Sequence, residues 1–267
     1  MSYPNRPIES HQPVLHWRDG GVAYIQFNRA DALNAISVPL AEGFFQACVD
    51  IAMDRDVRVV WLSSAGRAFM AGGDLSAISK APLEVAEALI AGMHGALRLL
   101  AEMDAPVVVS VQGAVAGGGL GLMLACDLVI AAQDSRFSLA YPGIGASCDC
   151  STSWGLPRQI GLRRALEFAL LPTPIDANEA LRLGLINRIV PTDSLEAEVM
   201  AFVDQLASGP TKAYGHLKRL MRTSFENSLD TQLDAEAAGF FACVSTADFQ
   251  EGVTAFLGKK KPRFVGT

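Results

Sequence analysis

The chain has 267 residues, half of them apolar and 19% charged, with a net charge of −6 and an isoelectric point near 5.2. Such a length can bury a large core; an acidic chain offers no broad basic face to nucleic acid, and no apolar run is long enough to span a bilayer. Five cysteines and four scattered histidines (His11, His16, His94, His216) build neither a disulfide framework nor a metal cluster, and a reducing cytoplasm is the expected compartment.

The first residues, MSYPNRPIESHQPVLHW, lack the apolar stretch of a secretory signal. VLHWRDGGVAYIQFNR (14–29) alternates apolar residues about Asp19-Gly20-Gly21, which predicts a β-hairpin. VPLAEGFFQACVDIAM (38–53) has helical spacing. VRVVWLSS (57–64) is a buried strand running into the glycine-containing loop AGRAFMAGGDL (65–75). From Ala81 to Met103 an amphipathic helix sets Val85, Leu89, Met93, Leu97 and Leu100 along one stripe. PVVVSVQG (106–113) is a second continuous strand, and 114–132 reads as loop, small-residue helix and strand. Beyond about residue 155 helical periodicity prevails, through a final stretch from Leu229 to Leu257. Strands alternating with helices imply an α/β class with right-handed crossovers and mainly parallel pairing. We divide the chain into a core (1–200) and a helical region suited to oligomerisation (201–267), with no break in composition between them.

Two glycine-rich loops follow strands: Ala71-Gly72-Gly73-Asp74 and Gly117-Gly118-Gly119. In parallel sheets both open at the carboxyl edge, where ligands bind. Gly118 also introduces a helix whose first N–H groups lack partners. Together the loops can aim two N–H groups at one oxygen, an oxyanion hole worth about 2.7–4 kcal/mol per donor. Either loop alone is better explained by tight turns and close helix–strand packing. Neither G-x-G-x-x-G nor the P-loop pattern occurs.

GASCDCSTSW (145–154) places Asp149 between Cys148 and Cys150. The spacing suits neither zinc nor a C-x-x-C redox pair, so the thiols read as packing. Asp149 is either a helix cap for a helix starting near Ser151 or a carboxylate in a dry pocket, where desolvation strengthens a base. His94, at the edge of the apolar stripe, is either a packed helix residue or a functional group. Lys259, Lys260, Lys261 and Arg263 form a solvated tail or a site for a phosphorylated small molecule.

NRADALNA (28–35), GRAFMAGGDL (66–75), GAVAGGGLGLMLACDLVIAA (113–132) and FSLAYPGIG (137–145) resemble the crotonase, or enoyl-CoA hydratase/isomerase, superfamily, in family order and spacing from about Val14 to Phe264. The resemblance implies a ClpP/crotonase-like spiral of ββα units with a helical C-terminal trimerisation region. It implies an acyl-CoA thioester substrate, coenzyme A arriving as part of that substrate, no permanently bound cofactor or metal, and a homotrimer or a hexamer built as a dimer of trimers. By the same resemblance Gly73 and Gly118 hold the thioester oxygen. Arg29, Ala32, Leu33, Ala71, Asp74 and Leu75 line the CoA channel, and Phe256 and Lys259 approach its nucleotide end from a neighbouring subunit.

Two positions depart from the pattern. The glutamates that family hydratases use to position water fall at 121 and 141, which are Gly121 and Tyr141 here. The two-glutamate hydration mechanism is therefore disfavoured. Asp149 matches a third position, where dienoyl-CoA isomerases, epoxyphenylacetyl-CoA isomerase and 4-chlorobenzoyl-CoA dehalogenase carry an aspartate. The favoured expectation is an isomerase in which Asp149 moves a proton, Tyr141 donates a hydrogen bond or closes the pocket, and His94 assists. The alternatives are aroyl-CoA hydrolysis, with Asp149 as nucleophile and His94 activating water, and a catalytically silent acyl-CoA binder.

Overall fold

The computed structural model describes residues 3–7, 11–171 and 173–267; positions 1, 2 and 8–10 of the N-terminal stretch read above lie outside it. The alternation at 14–27 folds into the expected hairpin. β1 (Val14–Asp19) and β2 (Val22–Phe27) pair antiparallel, with Asp19 opposite Val22 and Gly20 in a left-handed conformation at φ +54°. β2 is buried along its whole length because β3 (Val59–Ser64) runs parallel on its other side. β4 (Val107–Val111), β6 (Leu128–Ala132) and β9 (Arg188–Val190) continue the sheet, giving the order β1-β2-β3-β4-β6-β9 with every pair after the hairpin parallel.

α1 (Val38–Met53) starts at Ser37, whose hydroxyl accepts the Leu40 N–H, and α3 (Pro82–Glu102) packs across it. Gly92 permits that crossing, since a Cβ there would sit 2.8 Å from the Ala41 carbonyl oxygen. Phe44, Leu89, Met93, Leu97 and Leu100 fill the core between these helices and one face of the sheet. The opposite face, Tyr24, Val59, Trp61, Val108 and Ile130, is covered by Val199 and Val203 of α8 (Leu195–Ala207). Position 200 falls inside this helix.

A second sheet was not expected. β5 (Ala114–Ala116), β7 (Arg136–Ser138) and β8 (Ile175–Asp176) form a three-stranded ribbon in the order β5-β7-β8. Strands of two or three residues carry no readable period, and β8 and β9 likewise interrupt the region read as helical throughout. The chain turns from β4 into β5 at Gly113, φ +55°, where a Cβ would fall 2.0 Å from the Arg67 carbonyl oxygen. The remaining helices are α2 (Leu75–Ile78), α4 (Gly118–Ala125), α5 (Thr152–Ile160), α6 (Leu162–Leu170), α7 (Ala177–Leu183), α9 (Thr211–Thr223), α10 (Leu229–Val244) and α11 (Ala247–Leu257). The long C-terminal stretch is thus two helices, divided where the Thr246 hydroxyl caps α11 by accepting the Phe249 N–H. No helix among the described residues is long and apolar enough to cross a membrane.

α9 is fastened to the core by charge. The Lys218 ammonium, on a side chain 8% exposed, lies 2.8 Å from Asp127 and donates to the carbonyls of Leu100 and Ala105, while Arg222 reaches the other Asp127 oxygen at 2.8 Å. Burial pulls the Lys218 pKa below its ordinary value, with Asp127 opposing. Asp127→Ala leaves that ammonium without its counter-charge, an expected loss of about 3–5 kcal/mol measured by denaturant unfolding at pH 7. The unfolded chain then holds the Lys218 proton more tightly than the folded one. Stability therefore rises with pH, and the deficit shrinks as pH approaches about 10.

Candidate active site

The loops after β3 and β4 emerge at the carboxyl edge of the sheet and lie side by side. Met70 N–H donates to Ala114 and Ala116 N–H to Met70, a short parallel bridge between them. Gly72 (φ +103°) and Gly117 (φ +52°) face each other so closely that a Cβ on Gly117 would stand 3.5 Å from the Gly72 Cα. Ile36 pins the first loop, its N–H donating to Gly72 and its carbonyl accepting from Asp74. This leaves the Gly73 N–H, and the Gly118 N–H at the first turn of α4, with no backbone acceptor among the described residues.

Both glycines open on a cavity of about 360 Å³. Ile36, Leu75, Ile78, Leu89, Ile90 and Met93 form its apolar walls, and the 140–150 segment closes the remaining side with Tyr141, Cys148, Asp149 and Cys150. Asp149 is the one carboxylate among these lining residues. The Tyr141 hydroxyl donates to its Oδ1, and that oxygen stands 3.7 Å from where a Cβ on Gly118 would be.

The turn that presents Asp149 is unusual backbone. Cys150 (φ 49°) and Ser151 (φ 61°) both occupy the left-handed region, which disfavours L-residues other than glycine, asparagine and aspartate. Ser151 is the cap residue of α5, without a side-chain capping bond; the Asp149 carbonyl, not its carboxylate, accepts the Thr152 N–H. The capping alternative for the Asp149 side chain is therefore closed. Burial, followed by the neighbouring Asp149 charge, pushes the Tyr141 phenol well above its usual range, so it stays a neutral donor. The Cys150 thiol is pushed up for the same two reasons, and Cys48 and Cys126 by burial first. These are inert packing thiols, and no cluster of three metal-ligating side chains occurs among the described residues.

Gly121 acquires its meaning here. A Cβ on it would sit 2.5 Å from both the Cys150 carbonyl oxygen and Thr152 Oγ1, and 2.8 Å from Cys150 Cβ. The turn carrying Asp149 fills the volume that any side chain at 121 would need.

His94 lies behind this turn. Its Nε2 accepts the Cys150 N–H at 3.2 Å, and the ring does not line this cavity although its neighbour Met93 does. Arg29 and Asp74 form an ion pair at 3.1 Å, and Arg29 also donates to the Ala35 carbonyl. Asp74 is held below the usual carboxylate range by the Ser76 hydroxyl first and by Arg29 and the Ala77 N–H, against partial burial. It caps α2, so these two residues shape the loops. Ala71 and Leu75 line the cavity; Ala32 is exposed and Leu33 turns the chain at φ 50°. Phe256 and Lys259, on and just after α11, are exposed and do not line it. Asn34 went unnoticed in the sequence. It is fully buried, accepts the Arg29 N–H and donates to the carbonyls of Ala65 and Ala68, tying the 28–36 loop to the glycine loop. Nothing in the pattern distinguishes it from a surface asparagine in a turn.

Residues 18–267 match the family model described as enoyl-CoA hydratase/isomerase. The chain belongs to that family. A Rhodobacter capsulatus protein named probable enoyl-CoA hydratase is 36% identical over 96% of this chain and 99% of its own. The 1,2-epoxyphenylacetyl-CoA isomerase of Escherichia coli K12 is 34% identical over 95% and 98%. The crystal structure of an enoyl-CoA hydratase from Bacillus anthracis superposes with a TM-score of 0.90, at 28% identity, covering 96% of this chain and all of that one. The spiral core with C-terminal helices is thus the crotonase fold, and the enoyl-CoA hydratase/isomerase family places the chain among acyl-CoA-processing enzymes.

Proposed function

We propose that this enzyme isomerises an acyl-CoA thioester, with Asp149 as the single acid–base group. The observation that carries the reading is the placement of Asp149, the one carboxylate lining the cavity, beside Gly118 and in the same cavity as Gly73, whose N–H groups are both unpaired. A thioester oxygen between those donors becomes more negative as a proton leaves the adjacent carbon, so the two N–H groups bind the enolate better than the ground state. Asp149 takes that proton and returns it at another carbon of the acyl group, moving a double bond or opening a ring. Tyr141 holds the carboxylate in place. The apolar walls keep bulk water from competing, and the occupied space at Gly121 leaves no room there for a water-activating carboxylate. Coenzyme A comes and goes with the substrate.

A panel of enoyl-, dienoyl-, epoxyacyl- and aroyl-CoA thioesters tests this. Turnover in heavy-oxygen water should leave the Asp149 peptide unlabelled, and a thioester deuterated on the carbon next to its carbonyl should carry deuterium to the new position in the product. Label on Asp149 would instead establish a nucleophile, and binding of the whole panel without turnover would establish a silent binder. Tyr141→Phe removes the donor that holds the reacting carboxylate, so kcat should fall across the pH–rate profile with KM changed little. Because the Tyr141 phenol is raised, parent and variant should share the same shape of alkaline arm up to about pH 10.

Phe225, Leu229, Phe240, Phe241, Phe256 and Leu257, on α10 and α11 and in the turn after α9, are large apolar side chains left exposed in the single chain. A homotrimer or a dimer of trimers would cover them. Light scattering should return three or six times the 28.4 kDa chain mass.

A further inference from the structure

The Asp149 turn has a second cavity on its far side. It measures about 310 Å³ and lies, open to solvent, between α3, the end of α4, the start of α5 and α9. Leu97, Ala101, Ala125 and the Trp154 ring make its apolar wall, while His94, Arg98, Ser151 and Arg222 supply its polar groups. No aspartate or glutamate is among the lining residues.

These polar groups are donors, and not all are spent. Arg222 is engaged by Asp127 and the Ala125 carbonyl. Arg98 makes no hydrogen bond or ion pair among the described residues. His94 accepts the Cys150 N–H through Nε2, so its ring proton resides on Nδ1, and that N–H has no acceptor among the described residues. Alongside, the Arg158 guanidinium stacks 4.2 Å over the Trp154 ring with its Nε buried and unpartnered. The nearby carboxylates are already committed, Asp127 to Lys218 and Arg222, and Glu226 to Arg158. A cavity with unpaired donors, an aromatic wall and no acid of its own is suited to an anion with an apolar body.

We propose that this cavity binds a small organic carboxylate, held by Arg98 and the His94 Nδ1–H with its apolar part against Leu97 and Trp154. His94 then joins two sites: one nitrogen holds the ligand and the other holds the left-handed turn that presents Asp149. Binding fixes the ring and hence the turn, which changes turnover at the acyl cavity without occupying it. This coupling rests on the Asp149 reading; the binding itself does not.

Benzoate is the probe, titrated into the full-length protein with heat and tryptophan fluorescence as readouts. Binding should saturate, persist when acetyl-CoA is saturating, and weaken at least tenfold in Arg98→Gln, whose exposed position on α3 leaves the fold intact. Trp154→Phe should abolish the fluorescence change while retaining the heat. Benzyl alcohol, which lacks the charge, should bind at least tenfold more weakly. Displacement of benzoate by acetyl-CoA, equal affinity in Arg98→Gln, equal affinity for benzyl alcohol, or no saturation would each overturn the proposal. Because binding is read without turnover, its failure leaves the assignment of Asp149 standing, and an inactive Asp149 leaves the benzoate site standing.

Discussion

Asp149→Asn should lower kcat by about 10²–10⁴-fold, the range that positioned acid–base groups supply, with KM changed little. The expectation follows from the division of labour in the cavity. In the proposed mechanism substrate is held by the Gly73 and Gly118 N–H groups and by apolar walls, none of which the substitution touches. Asparagine has the same shape and its amide oxygen can still accept from the Tyr141 hydroxyl, so the turn and the thermal midpoint should be retained. What is lost is the ability to take and return a proton. The measurement is steady-state kinetics on a turned-over thioester from the panel, with thermal unfolding in parallel. A variant working at the parent rate would remove Asp149 from the mechanism.

Gly121 provides the second large effect, and it discriminates the reaction type. Gly121→Ala should favour the helix slightly on propensity alone, since alanine is the better helix former by about 0.8–1 kcal/mol. The added methyl, however, would stand 2.5 Å from the Cys150 carbonyl oxygen and Thr152 Oγ1. Overpacking of this kind costs about 1–3 kcal/mol, so the net change should be destabilising. The turn must also shift to admit it, carrying Asp149 with it. A displacement near 1 Å is enough to cost about 10²-fold in rate. Gly121→Glu should be worse on both counts and should gain no hydration of an enoyl-CoA, because its carboxylate meets the turn before it meets the substrate. Unfolding midpoints and isomerase and hydratase assays on both variants decide the matter. Full activity and stability in Gly121→Ala would mean that the turn has slack. Hydration by Gly121→Glu would mean that position 121 and Asp149 can work together.

The two glycine loops and Asp149 were legible in the amino-acid order, while their relation was not. The hairpin, α1 and α3 were readable because each repeats its apolar residues at a fixed period over six residues or more, and the central strands because they are continuous apolar runs. α4 could be placed only as a small-residue helix. It is buried on all sides, and what surrounds it comes from loops distant in the chain.

The β5-β7-β8 ribbon and β9 are too short to carry a period; their strand character exists only through pairing with residues 20 to 60 positions away. The same limit applied to side chains. Asp149 alone was compatible with a cap or a base; the cap was closed by Ser151 standing at that position, and Tyr141, eight residues earlier, donates to the carboxylate. Residue types and their periods are local properties and gave an α/β class; the order of the motifs carried the family resemblance, and with it Gly121 and Tyr141 at the positions where family hydratases have glutamates. Which volume excludes which side chain, and which nitrogen of His94 faces the turn, are properties of three segments meeting in space. Those were set when residues 94, 121 and 150 were packed against one another.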